Sequence, residues 1–451
     1  MIYCLFSLFT SLFTSLSSSL NLDAHTHTHT HTHNNNNNRQ HCGEIVSSRL
    51  AEEVCELVSM TCYENVTRDT TTSTNQDSSS SLNDFENEDP AFDLRRRVAT
   101  LCNEDLSNTF LYPTGMASLT AAHRLLKLTS NWNQTPLRNI VFGFPYLDTL
   151  KLNSRKELGG GVLFFGRGDE NDLNKLKTML SNSDEKFGGL FLEFPSNPLL
   201  RAPPLRQLRE LADEFDFPII LDDSISGFCN VDVLRQGGAD VLCSSLTKQF
   251  SGSNTVMGGS LVLNSQSRYF DRFRSRLVRD HEDLLHRRDA SALLDASYDL
   301  EARVRASNEN AEEVVKLLQS RSDVVSRVYH PLTETKELYD EFKRETTGGY
   351  GALLSIQFED DTKARMFYDR LDAAKGPGFG SNFTLVCPYT MIAHFNELDW
   401  CRSYGIDPNL VRVWVGLEER RELLSVFEAA LDECGAIVDS GGGGDGDIKV
   451  C

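Results

Sequence analysis

Ala239-Asp240-Val241-Leu242-Cys243-Ser244 is an apolar run that closes on Ser245-Leu246-Thr247-Lys248. About 25 residues upstream a second run, Pro218-Ile219-Ile220-Leu221, ends in Asp222-Asp223-Ser224. Both read as short strands. Further strands are predicted at Asn139–Phe144, Val162–Phe165, Gly189–Glu193 and Gly259–Leu263, with helices at Ala117–Leu128 and Asn171–Leu180. Leu205, Leu208, Leu211, Ala212 and Phe215 fall on one face of a third helix, and Pro204 suits its first turn. Continuously apolar strands alternating with helices predict an open, mostly parallel sheet covered on both faces. Ligands bind such sheets at the carboxyl ends of the strands, where Asp222 and the Ser245–Lys248 group lie.

A lysine beside two hydroxyls at one strand end, with an acid at a neighbouring strand end, is the set that pyridoxal 5'-phosphate requires. The lysine bonds its aldehyde, hydroxyls bind its phosphate, and the acid pairs with its pyridinium nitrogen. Taken alone, the same tetrapeptide also describes a solvated loop lysine. Four further features fit the cofactor reading. Tyr112-Pro113-Thr114-Gly115-Met116 precedes a helix and offers backbone N–H groups to a phosphate. Tyr146 follows a strand and can stack on a flat ring, or be a surface tyrosine. Asn197 follows Glu193 in a proline-rich bend. Arg412 interrupts the apolar strand Leu410–Gly416, so it needs a partner: a substrate carboxylate, or an internal acid such as Glu418.

The chain has 451 residues, enough for two or three domains. Its 65 acids against 45 Lys and Arg leave a formal charge of −20, which opposes nucleic acid or an anionic membrane as the main partner. Eleven cysteines are scattered without a C-x-x-C pair or zinc spacing, which predicts reduced thiols, a cytoplasmic setting and no metal site. Residues 2–16 are apolar but too short to span a bilayer, and no Lys or Arg precedes Arg39. The His-Thr alternation from His25 to His33 and the Asn34–Asn38 run read as low-complexity sequence, so residues 1–40 are excluded from the fold. His41–Met60 is predicted helical, with Leu50, Val54, Leu57 and Val58 on one face, and Thr67–Asp89 reads as a disordered linker. The sequon Asn65-Val66-Thr67 carries no weight without secretion. The expected organisation is a helix and linker at 41–90, a cofactor-binding large domain at 91–275 and connecting helices at 276–340. A smaller C-terminal α/β domain follows at 341–437, and a flexible tail at 438–451. The small domain is read from strands 352–358 and 410–416 and helices 362–371 and 419–434.

Several stretches together resemble the cysteine/methionine-metabolism family of pyridoxal-phosphate enzymes, and within it the fungal branch of cystathionine γ-synthases. They are Tyr112–Met116, Glu193-Phe-Pro-Ser-Asn-Pro198, Ile220–Ser224, Ser244–Gly252, Val256–Val262, Gly380–Leu385 and Val411–Glu418, with His41–Arg49 ahead of them. The resemblance implies a fold-type I, aspartate aminotransferase-like α/β transferase, active as a homodimer or homotetramer on small amino-acid substrates. It implies Lys248, Tyr146 and Asp222 as catalytic residues. It implies Gly115, Met116, Ser245 and Thr247 on the phosphate, with Tyr146 and Asn197 at the ring. Arg412 and Thr384, with Asn197, are implied to bind the substrate. The reaction it implies is condensation of an O-acylhomoserine with cysteine to cystathionine. A cystathionine lyase, a sulfhydrylase, a methionine γ-lyase or a non-catalytic relative remain alternatives. The family's Tyr-x-Arg arm, sent from a neighbouring subunit to the phosphate, is not found between residues 63 and 111, where Tyr63, Arg68 and Arg95–Arg97 stand at other spacings.

Overall fold

The computed structural model describes residues 47–55, 89–128 and 136–436. Seven strands form one sheet: β1 (Thr109–Tyr112), β2 (Arg138–Phe142), β3 (Val162–Phe165), β4 (Phe187–Glu193), β5 (Ile219–Asp222), β6 (Val241–Ser245) and β7 (Gly259–Leu263). Their order is β1-β7-β6-β5-β4-β2-β3. The chain from β2 to β6 pairs in parallel, and only β7 runs against its neighbours.

Strand side chains point to alternate faces, and here both faces are dry. Ile140, Leu190, Leu192, Ile219 and Leu221 join one core, while Val141, Phe191 and Ile220, interleaved with them, join another on the opposite side. That explains the unbroken apolar runs. The helix Leu205–Glu214 covers the first face with Leu205, Leu208, Leu211 and Ala212, the stripe read from its spacing.

A second sheet has the order β10-β11-β12-β9-β8, built from β8 (Val325–Tyr329), β9 (Leu353–Phe358), β10 (Ala374–Lys375), β11 (Leu385–Pro388) and β12 (Val411–Trp414). It has its own core with the helices Leu300–Ser320 and Arg420–Gly435. Residues 276–340 are not all connecting helices. Val325–Tyr329 pairs antiparallel with β9, so the second sheet begins before residue 341. A register shift between Val325 and Arg327 breaks the alternation, leaving Ser326 and Arg327 both exposed, and that hides this edge strand from a period-two reading.

Of the predicted N-terminal helix, residues 48–55 are described and helical. Arg49 reaches Asp289 at 2.8 Å, and Glu53 lies 2.7 Å from His286, so this helix rests on the helix Arg287–Ala296 and the residue before it. Residues 1–46, the linker at 67–88 with the Asn65 sequon before it, and the tail at 438–451 lie outside the described residues. Among the described residues no helix is long and apolar enough to cross a membrane, and no acid, His or Cys cluster could hold a metal ion.

One buried arginine ties the helix Leu300–Ser320 to the turn that carries Lys248. Arg303 donates to the carbonyls of Gln249 (3.0 Å), Phe250 (3.0 Å) and Ala296 (2.7 Å), and to Asp299 (2.7 Å). Sequence reading did not single it out. Replacing Arg303 with Leu strips charged donors from three carbonyls, so a loss of about 3 kcal/mol or more in unfolding free energy is expected. Urea unfolding of R303L against the natural chain measures it.

Candidate active site

The carboxyl ends of β4, β5 and β6 converge on a cleft of about 490 Å³, closed from the other side by the loop before β11, by β11–β12 and by the short helix after β11. Parallel pairing sets the first wall. Glu193 is the register partner of Asp222, so both acids stand side by side at the cleft. Asp223 does not enter it. Ser244 donates to its carboxylate in the interior, and burial pushes its pKa well up, followed by repulsion from Asp222. Of the adjacent pair, Asp222 is therefore the cleft acid. Burial raises its pKa too, while hydrogen bonds from Ser224 and the charge of Lys248 oppose the shift.

Lys248 follows β6 on a tight turn. Its Nζ lies 4.9 Å from the centre of the Phe379 ring and makes no hydrogen bond or ion pair among the described residues. Burial, then repulsion from Arg412, lower its pKa, against the pull of Asp222. The amine is biased toward its neutral, nucleophilic form. Gly380, at φ +86°, lets the chain before β11 cross the lysine backbone; a Cβ there would lie 2.4 Å from Gln249 N.

Gly115 and Met116 open the helix Gly115–Leu125 onto the cleft, with Thr114 as its cap. A Cβ on Gly115 would sit 2.8 Å from that of Ser245, so only glycine lets this helix start meet the end of β6. Ser245 and Thr247 line the same corner. Thr247 Oγ1 accepts from Gly258 N at 3.1 Å, and Ser245 N donates to Ser224 Oγ at 2.8 Å. Tyr146 stands at the mouth, half exposed, at the start of the helix Leu147–Ser154. Burial and the nearby acids Asp148 and Glu193 hold its phenol protonated.

Arg412 is only 5% exposed and has no acid partner among the described residues. Glu418, the internal candidate, is occupied elsewhere: it accepts from Thr384 N and Oγ1. The guanidinium is clamped between Tyr389 (4.5 Å) and Phe379 (5.6 Å), and donates to Asn197 Oδ1 at 3.0 Å and to Pro377 O. Asn197 in turn donates to the Tyr389 hydroxyl at 3.2 Å. Asn197 thus lines the cleft with both ends of its amide engaged, and it orients the arginine.

The sequence-predicted residues Gly115, Met116, Tyr146, Asn197, Asp222, Ser245, Thr247, Lys248 and Arg412 all meet in this cleft. Thr384 does not. Its hydroxyl donates to Glu418 and accepts from Gly416 N at 3.1 Å, so it braces the loop behind the wall and takes no place in the substrate pocket. Arg95, Arg96 and Arg97 pair with Asp283, Asp93 and Glu301 and do not line the cleft; Tyr63 and Arg68 lie outside the described residues. Sequence reading missed Glu193, Phe379 and Tyr389. Glu193 carried the signal that revealed Asp222, an acid closing an apolar run. The two aromatics carried none.

The profile of the family described as "Cys/Met metabolism PLP-dependent enzyme" matches residues 52–432. The chain belongs to this family. Among its relatives, a cystathionine γ-synthase of Neurospora crassa is 42% identical over 337 residues, covering 74% of this chain and 53% of the relative. A cystathionine γ-synthase of Saccharomyces cerevisiae is 39% identical over 349 residues, covering 72% and 54%. The chain spans about half the length of these curated relatives. The crystal structure of a cystathionine γ-synthase from Xanthomonas oryzae pv. oryzae superimposes with a TM-score of 0.65 at 22% identity, over 81% of this chain and 92% of that one. The fold is therefore the fold-type I, aspartate aminotransferase-like architecture of this pyridoxal-phosphate-dependent family, a large α/β domain with a smaller C-terminal one.

Arg412 generates a test of the pocket. Lysine supplies one charge without the planar fork, so Arg412→Lys should weaken binding of α-amino-acid carboxylates by about 2–4 kcal/mol while leaving the melting temperature nearly unchanged. Equilibrium titration with an unreactive amino acid checks this. A loss of stability without a loss of amino-acid affinity would make Arg412 a structural residue.

Proposed function

We propose that this chain binds pyridoxal 5'-phosphate on Lys248 and catalyses a γ-replacement on an O-acylated homoserine, joining it to cysteine to give cystathionine. One observation carries the reading: two basic side chains, Lys248 and Arg412, share a buried cleft and neither has an ion-pair partner among the described residues. Lys248 suits an aldehyde, and Arg412 suits an α-carboxylate. The residues present fit the cofactor. A glycine-opened helix start and two hydroxyl residues make a corner for phosphate, and Asp222 offers a negative charge for a pyridinium nitrogen. Bound there, the cofactor supplies an electron sink for a carbanion at the substrate Cα.

The chain's own groups divide the remaining work. Arg412, held by two aromatic rings and Asn197, would orient the substrate by its carboxylate. The amine of Lys248, biased toward neutrality, can take a proton at Nζ and return it to the neighbouring carbon. Asp222 would hold a pyridine nitrogen charged, because a nearby anion raises the pKa of a pyridinium. Tyr146 at the mouth would flank the bound group and could offer its protonated phenol to the departing acyl group. Selectivity among thiols resides in the outer wall, where Met257, Phe379 and Ile392 are apolar. The choice of a synthase over a lyase or sulfhydrylase is supported by the similarity to the two fungal synthases.

Lys248→Ala removes both the attachment point and the proton carrier, so turnover should fall by several orders of magnitude and the visible absorbance of the bound cofactor should be lost. Near-normal activity in K248A would sink the cofactor reading. The reaction itself is decided by mass spectrometry of products from each O-acylhomoserine with cysteine and sulfide in competition. Cystathionine should dominate. Homocysteine as the main product would mark a sulfhydrylase, and cystathionine cleaved faster than it forms would mark a lyase.

A further inference from the structure

The contacts of Arg412 continue past Asn197 and Tyr389 into the interior behind the cleft. His394 is 1% exposed and follows Ile392 and Ala393, which line the cleft, at the end of the short helix Tyr389–Ala393. Its Nε2 lies 3.5 Å from the Tyr389 hydroxyl, and its Nδ1 lies 3.4 Å from Glu397 Oε2. Phe144 and Trp400 pack around the imidazole, with ring centres at 5.5 Å and 5.9 Å. The direction of each hydrogen bond follows from the two ends of this row. A guanidinium only donates, so Asn197 Oδ1 accepts from Arg412, and Asn197 Nδ2 is left to donate to the Tyr389 oxygen. The Tyr389 hydroxyl then has its own proton to place, and His394 Nε2 is the acceptor facing it. At the far end a carboxylate only accepts, so Glu397 takes a proton from His394 Nδ1. Both ends require the same imidazole: neutral, protonated on Nδ1, with Nε2 free to accept.

We propose that His394 is a positioning residue for Arg412: in its neutral Nδ1–H form it accepts the Tyr389 hydroxyl and, through Tyr389 and Asn197, fixes the orientation in which the guanidinium meets a substrate carboxylate. The titratable and charged groups facing His394 are Tyr389 from its own helix, Glu397 from the turn that follows and Lys151 from the helix Leu147–Ser154. Burial, the largest influence, lowers the pKa of the ring and favours its neutral form, against Glu397 and with a smaller push from Lys151. Burial also holds the Tyr389 phenol protonated, as a donor must be. A hydroxyl deprived of its acceptor in this dry interior seeks another partner, and the Asn197 amide that holds the arginine loses its fixed neighbour. This inference rests on Arg412 as the carboxylate site, which the Arg412→Lys titration tests separately.

Affinity for unreactive L-alanine, titrated into the protein loaded with pyridoxal 5'-phosphate, reads the positioning of Arg412. Tyr389→Phe keeps the ring over the guanidinium and removes the hydroxyl. His394→Leu removes the acceptor, and His394→Gln replaces it with a side-chain carbonyl. Alanine affinity should fall about tenfold in Y389F and in H394L and stay within about threefold in H394Q, while affinity for pyridoxal 5'-phosphate stays within about twofold in all three. Because the two residues act in one row, the double variant Y389F/H394L should lose no more than the larger single loss. Losses that multiply in the double variant would mean two independent effects, and the proposal is wrong. If H394Q loses as much as H394L, the position does not serve as an acceptor and the proposal is equally wrong. Unchanged alanine affinity in Y389F, whatever its melting temperature, makes the row purely structural and overturns it. Should H394L fail to fold, Y389F still reads affinity, and nitrogen NMR of the histidine-labelled natural chain against H394Q reads the tautomer. The signal missing from H394Q should belong to a neutral ring protonated on Nδ1, and an imidazolium or an Nε2–H ring would refute the assignment.

Discussion

Two basic side chains, Lys248 and Arg412, that share one cleft set the terms for the rest of this molecule. Burial, then the charge of Arg412, lower the tendency of Lys248 to hold its proton, and no acid among the described residues pairs with either within ion-pair distance. Leaving a buried charge unpaired is expensive, by several kcal/mol in real proteins. The surroundings lower that cost without cancelling the charge. Arg412 gains two aromatic faces, an amide oxygen and a carbonyl, and Lys248 lies over one of the same rings, Phe379. What remains unmet is what the proposed function assigns to an aldehyde and a carboxylate.

The opposite wall answers with negative charge, under equally tight control. Asp222, Asp223 and Glu193 lie within one pair of adjacent strand ends and the residue beyond, all with raised pKa values. The fold separates their environments. Asp223 turns inward to Ser244, Asp222 receives Ser224, and Glu193 receives a single backbone N–H. Burial raises the pKa of all three, and each carboxyl group has a different set of hydrogen-bond donors and neighbouring charges to oppose that rise.

The cleft lies between two separately packed sheets, which is why its geometry needs long-range ties. Arg303 anchors the Lys248 turn, Asn197 joins the end of β4 to Arg412 and Tyr389, and Glu418 holds Thr384 and with it the loop crossing over Lys248. None of these residues is a reacting group. Together they fix the distance between the lysine from one sheet and the arginine from the other, and that distance determines which substrates fit.

Much of this was legible in the sequence. Apolar runs ending in Asp222 and Lys248 announced a parallel sheet with its chemistry at the strand ends, because backbone pairing forces unbroken apolar strands wherever both faces are buried. The turn at Gly115 was legible as a helix start open to a phosphate, but not that Ser245 packs against it. The edge strand Val325–Tyr329 was concealed by its bulge, and Thr384 was given a role that Glu418 pre-empts. Whether Asp222 or Asp223 faces the cleft, whether Glu418 neutralises Arg412, and that Glu193 stands beside Asp222 with one oxygen unmet were decided by tertiary structure alone. Sequence determines which residue types are available and the period at which they recur. Hydrogen-bond partners such as Ser244 for Asp223 or Thr384 for Glu418 come from other elements of the chain, at distances that only the packed fold sets.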